Sequence, residues 1–171
     1  RTIQYRPDGN DFVCVNGKNR YTRALYGGIT DFRIETSDRP VFAAYKPKDS
    51  KHICFRLQCG NQSIALDSLK FCEARYRAGR RTYRLTDPLL GKGELNISVL
   101  AFPDAEGGIW RFTMKDMPEG ALLHCYISEI RAKNLSRNGD MGADRADSFD
   151  APQLPKEQKH YKLSLDGTTA Y

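Results

Sequence analysis

Short runs of alternating apolar and polar residues dominate the chain, and each run is closed by residues that favour turns. Side chains two apart share a face of an extended strand, so each run marks one buried and one solvated face. Residues 2–6 form the first run, closed by Pro7, Asp8, Gly9 and Asn10. Residues 11–15 form the second, closed by Asn16-Gly17, a strong turn signal. Phe32, Ile34 and Thr36 alternate with Arg33 and Glu35, and residues 41–45 lie between Pro40 and Pro47. Ile53, Phe55, Leu57 and Cys59 share a face opposite His52, Cys54, Arg56 and Gln58. A compact hairpin follows, with Cys72, Ala74, Tyr76, Tyr83 and Leu85 inward and Arg75, Arg77, Thr82 and Arg84 outward. Leu95, Ile97, Val99 and Ala101 make the next face, then Trp110, Phe112 and Met114. Residues 122–130 are apolar on both faces, as expected of a strand covered on both sides.

No stretch carries a capped helical period, and turns recur about every ten residues. The expected fold is all-β: an antiparallel, supersandwich-like β-sandwich of roughly a dozen short strands with little or no helix. The pattern lapses over residues 133–159, which read as a long acidic loop, and returns as a short strand near residues 161–165. The 171 residues suit a single domain. The first residue is Arg1, and the chain is expected to be the N-terminal part of a longer protein.

Composition changes this picture little. Hydrophobic residues make up 40% and charged residues 28%, as in a globular domain, and no apolar run reaches the length of a membrane span. The five cysteines are an odd set without a C-x-x-C, and they are expected to be free thiols. The net charge of +6 is concentrated locally: six cations from Lys70 to Arg84 face the single anion Glu73. Such a patch suits an acidic polymer. Nucleic acid is disfavoured, because of the interleaved aromatics Phe71, Tyr76 and Tyr83 the last two point inward, and stacking readers need aromatics exposed on the same face as the cations.

Catalytic motifs are missing. There is no G-x-S-x-G, H-E-x-x-H, P-loop or strand-linked G-x-G-x-x-G, and His52, His124 and His160 lack ligand spacing. No catalytic residue, metal ligand or cofactor is assigned. Four carboxylates (Asp140, Asp144, Asp147 and Asp150) crowd the long loop, but their spacing is not that of a calcium loop, and Arg145 competes. Trp110, Tyr21, Tyr26 and Tyr45 are candidate sugar platforms, with core packing the simpler reading for Trp110. The candidate glycan contacts are Arg75, Arg77, Arg84, Trp110, Asp140 and Asp144.

Four stretches together resemble a family of bacterial proteins known as domain of unknown function 4450. They are residues 5–9 (YRPDG), residues 16–27 (NGKNRYTRALYG), residues 74–77 (ARYR) running on to residues 87–93 (DPLLGKG), and residues 139–144 (GDMGAD). The resemblance spans residue 5 to about residue 150. It implies the N-terminal β-sandwich of a glycoside hydrolase from bacteria of the Bacteroides type, with a helical toroid downstream that carries the catalytic carboxylates. It also implies a periplasmic or cell-surface location. On this reading the chain is a non-catalytic accessory domain that packs against its C-terminal catalytic partner and contacts glycan. Two other readings stand beside it: an independent binding module for acidic glycans, and a catalytic domain using Asp140 and Asp144.

Overall fold

The computed structural model describes residues 4–28, 31–46, 50–132, 144–145 and 149–150. In chain order the strands are β1 (Arg6–Asp8), β2 (Asp11–Val15), β3 (Arg20–Tyr26), β4 (Arg33–Ser37), β5 (Val41–Tyr45), β6 (Ser50–Cys59) and β7 (Gln62–Ala65). They continue as β8 (Phe71–Arg77), β9 (Arg80–Thr86), β10 (Glu94–Ala101), β11 (Gly108–Lys115) and β12 (Leu122–Ala132), with two short pieces, β13 (Asp144–Arg145) and β14 (Phe149–Asp150). Two 3₁₀ turns, Leu66–Ser68 and Pro88–Leu90, are the helical segments among the described residues.

The strands form two antiparallel sheets, as the alternation predicts. The first runs β1-β2-β8-β9-β10-β11, and the second runs β13-β3-β4-β5-β6-β12-β14 with β7 beside β6. Register fixes the faces of the first sheet. Ala74, Tyr83, Ile97 and Phe112 form one inward row; Cys72, Leu85, Leu95 and Met114 form another. All of these but Met114 meet Leu25, Ile34, Phe42, Phe55 and Leu57 from the second sheet in one apolar core. Phe42 sits at its centre, edge-on to Phe55, Tyr83 and Trp110.

Close backbone approach joins the sheets at one end. A Cβ on Gly27 would lie 1.7 Å from the Phe102 carbonyl oxygen, and Gly28 N–H donates to the Pro103 carbonyl at 2.7 Å. The loop between β10 and β11 therefore rests directly on the end of β3, where only glycine fits.

Four expectations change. Residues 2 and 3 of the first expected run lie outside the described residues, and its strand starts only at Arg6, as β1 (Arg6–Asp8), where Pro7 is tolerated because β1 is an edge strand. Arg81, counted among the surface cations, points inward and is fully buried. The stretch 133–159 is not all loop: its described residues form β13 against β3 and β14 against the end of β12. Finally, β12 is not covered on both sides, since Leu122 and Ile127 are each 54% exposed. The first sheet ends too soon: β11 already lies opposite β6, with the Phe112 and Phe55 rings 4.9 Å apart. β12 pairs on the far side of β6 and overhangs by one strand. The strand expected near residues 161–165 lies outside the described residues.

Candidate functional site

The outer face of the first sheet holds three of the six candidate contacts. Strand register places Arg75, Thr82, Ser98 and Arg111 in one row across β8, β9, β10 and β11, and Glu73, Arg84, Asn96 and Thr113 in the next. These eight residues line a shallow trough of about 270 Å³. Arg75 and Arg111 stand on the flanking strands β8 and β11, and small Thr82 and Ser98 form the floor between them.

Acidic neighbours hold most of the arginines on this face. Arg75 pairs with Asp8 and Glu73, each at 2.8 Å. Arg77 pairs with Asp11 at 2.6 Å, and that hydrogen bond holds the Asp11 carboxyl below its usual range. Arg84 lies 3.6 Å from Glu73 and 3.4 Å from Glu94, and its guanidinium stacks over Phe71 at 4.7 Å. A hydrogen bond from Asn96, then one from Arg84, keeps Glu94 below its usual range too. Arg111 is the exception in the trough: it makes no ion pair among the described residues.

The other candidates lie elsewhere. Trp110 is on the inward face of β11, the neighbour of Arg111 but on the opposite side, and its ring meets Phe42. It lines a second cleft of about 290 Å³ with Phe32, Lys51 and Ile53, bordered by the 2.6 Å Lys46–Glu106 pair. Its indole N–H is buried without a hydrogen-bond partner among the described residues. Asp144 pairs with Tyr21 on the second sheet, away from the arginine face, and Asp140 lies outside the described residues. Of the remaining sugar platforms, Tyr21 is buried and Arg33 covers the Tyr45 ring at 3.8 Å; Tyr26 is exposed. The histidines also stand apart: His52 is half-buried, His124 bonds Gln58 at 2.9 Å, and His160 lies outside the described residues. All five cysteines are free. Among the described residues no group of three His, Cys, Asp or Glu side chains could hold a metal ion, and no helix is long and apolar enough to cross a membrane.

Two features escaped the sequence reading. One is a buried polar knot between the sheets. Arg81 Nη2 donates to Tyr5 Oη at 2.6 Å and to the Ser37 carbonyl at 2.9 Å, and lies 3.7 Å from Asp38 Oδ1. Tyr83 Oη donates to the same Ser37 carbonyl at 2.6 Å. Tyr5 and Thr22 both donate to Asp38 Oδ1. Burial pushes the Tyr5 hydroxyl up to about 12, although the Arg81 charge pulls it down. The knot lies inside the sandwich and is built for cohesion. Its signal was positional: Arg81 falls two residues before Tyr83 and four before Leu85, on the inward side of β9.

The second feature is the overhang of β12. Ile127 and Cys125 pair with Ile53 and Phe55, so they belong to the inward face of the second sheet. Yet both are exposed, and Met114 on the inward face of β11 is 41% exposed. Core-facing residues of two strands at the rims of the sheets, β11 and β12, therefore meet solvent.

Fold and sites together define a two-sheet antiparallel β-sandwich with a polar trough outside and uncovered core-facing residues on β11 and β12. The chain belongs to the family described as domain of unknown function DUF4450, whose model matches residues 47–168. The match begins after the first two of the stretches that carry the resemblance. Comparison with curated proteins and with solved structures found no match.

Proposed function

We propose that this chain is a non-catalytic accessory sandwich of a bacterial glycoside hydrolase, acting at the cell surface or in the periplasm. It packs against a further, catalytic domain of the same polypeptide and contributes a glycan-contacting surface. The observation that carries the reading is the exposure of Met114, Cys125 and Ile127, residues on core-facing sides of their strands that nonetheless meet solvent. Side chains on core-facing strand faces that stay uncovered are where a partner domain would dock. A domain in the same chain is the chosen occupant because tethering raises the effective concentration of a partner for so small a contact. The family membership fits this reading, and the catalytic carboxylates then belong to the partner domain.

The test is the unfolding of the complete polypeptide encoded by the gene. Wild type should unfold with the sandwich and its partner coupled in one calorimetric transition. Ile127→Glu should split that transition while changing the stability of the 171-residue chain by only about 0.5 kcal/mol, as for an exposed site. A gene that stops at Tyr171, or a transition unmoved by the substitution, would contradict the reading. So would hydrolysis of glycans by this chain alone.

A further inference from the structure

We infer that the trough on the outer face of the first sheet binds an acidic sugar, with Arg111 receiving its carboxylate or sulfate group. The choice of a sugar as ligand rests on the function proposed above; the choice of an acidic one rests on the trough.

The trough offers unspent bonding capacity. Among the described residues, the hydroxyls of Thr82, Ser98 and Thr113 engage in no side-chain hydrogen bond, and Asn96 commits its amide N–H to Glu94 at 2.7 Å while its carbonyl oxygen stays available. A sugar ring presents a matching set of donors and acceptors at its hydroxyls. The volume, about 270 Å³, lies near the lower end for small-molecule sites and suits a short stretch of glycan. The row from Arg75 to Arg111 crosses three inter-strand spacings of about 4.8 Å each, so the trough is long enough to seat a ring between its flanking side chains.

Charge then selects the ligand. Arg75 and Arg84 are held by Asp8, Glu73 and Glu94, whereas Arg111 is exposed and among the described residues carries no such partner. Its planar guanidinium presents paired donors that match a carboxylate or sulfate. No aromatic ring face lines the trough floor, because Tyr83 turns into the core. Recognition by stacking on the apolar face of a neutral sugar is thereby removed, and hydrogen bonds and charge remain. Glu73 marks one end of the trough as unfavourable for the acidic group, which places that group at the β11 end.

Nuclear magnetic resonance titration of the labelled chain tests this with three probes of equal length: a uronic-acid oligosaccharide, a sulfated oligosaccharide and a neutral one. The acidic probes should shift amides of β9, β10 and β11 around Thr82, Ser98 and Arg111, and the neutral probe should not. Arg111→Ala should weaken binding about tenfold or more, the loss expected for a charge-assisted pair. Arg111→Lys should retain part of the affinity, and Ser98→Leu should abolish binding by filling the floor with the charge intact. Both positions face outward, and the spectrum itself reports whether each variant is folded. No shift with either acidic probe, shifts confined to other surfaces, or full affinity in Arg111→Ala would each overturn the assignment. A silent titration beside a calorimetric transition that Ile127→Glu splits would remove the trough and leave the docking reading standing. Binding without that coupling would do the reverse.

Discussion

Arg81 carries a full charge into a part of the first sheet that water does not reach. Its guanidinium stays protonated there, because its intrinsic affinity for a proton is so high and Tyr5, Tyr83, Ser37 and Asp38 all present oxygen to it. Asp38 depends on that charge in turn. Arg81→Met leaves a buried carboxylate without its cation and should cost about 3–5 kcal/mol in chemical denaturation. Adding Asp38→Asn should recover a large part of the loss, since the remaining groups are neutral. His52 gives the molecule a pH dependence. Burial lowers its imidazole below the ordinary 6.5, against the pull of Asp67. The unfolded chain then binds the proton more readily than the folded one, so this contribution is present above pH 6.5 and is lost as pH falls through the folded value. Denaturation curves at about pH 7.5 and about pH 5 should show His52→Gln losing less stability on acidification than wild type.

Among the elements, strands with uninterrupted alternation were legible, and those with a local irregularity were not. The faces of β8 to β11 follow residue parity throughout, from Cys72 to Met114. β3 escaped because its register shifts between Tyr21 and Arg23. Tyr21 and Leu25 are four apart and should share a face, yet Tyr21 packs with Val41 and Ala43 on one side and Leu25 joins the main core on the other. A bulge reverses the parity that sequence reading relies on. β12 was legible as a strand but misread in its environment, since its sequence does not reveal that the opposite sheet ends one strand short. The candidate site was half legible for the same reason. Arg75, Arg77 and Arg84 were placed outward correctly, whereas Asp8, Asp11, Glu94 and Arg111 come from strands that only the fold brings beside them. The contact of β3 with the β10–β11 loop gives a prediction of its own. Gly27→Ala drives a methyl into the Phe102 carbonyl and should destabilise the chain by about 2 kcal/mol or more. Gly60→Ala, with open space around it and a φ of +57°, should cost about 1 kcal/mol from backbone strain alone. Thermal melts of the two variants separate the causes.

At the scale of the whole molecule, the surface holds a polar face suited to ligand and uncovered core-facing residues on β11 and β12 suited to protein. The net charge of +6 overstates the attraction of the arginine face, because Asp8, Asp11, Glu73 and Glu94 neutralise much of it in place. Within the trough, what remains is local, at Arg111. The uncovered residues of β11 and β12 are the larger departure from a self-sufficient domain, and the account rests on their being covered. Amide hydrogen exchange along β11 and β12, compared between the 171-residue chain and the complete polypeptide, measures that cover directly. The account predicts slower exchange around Met114, Cys125 and Ile127 in the complete polypeptide, with the arginine face unchanged. Equal exchange at those residues in both would contradict it.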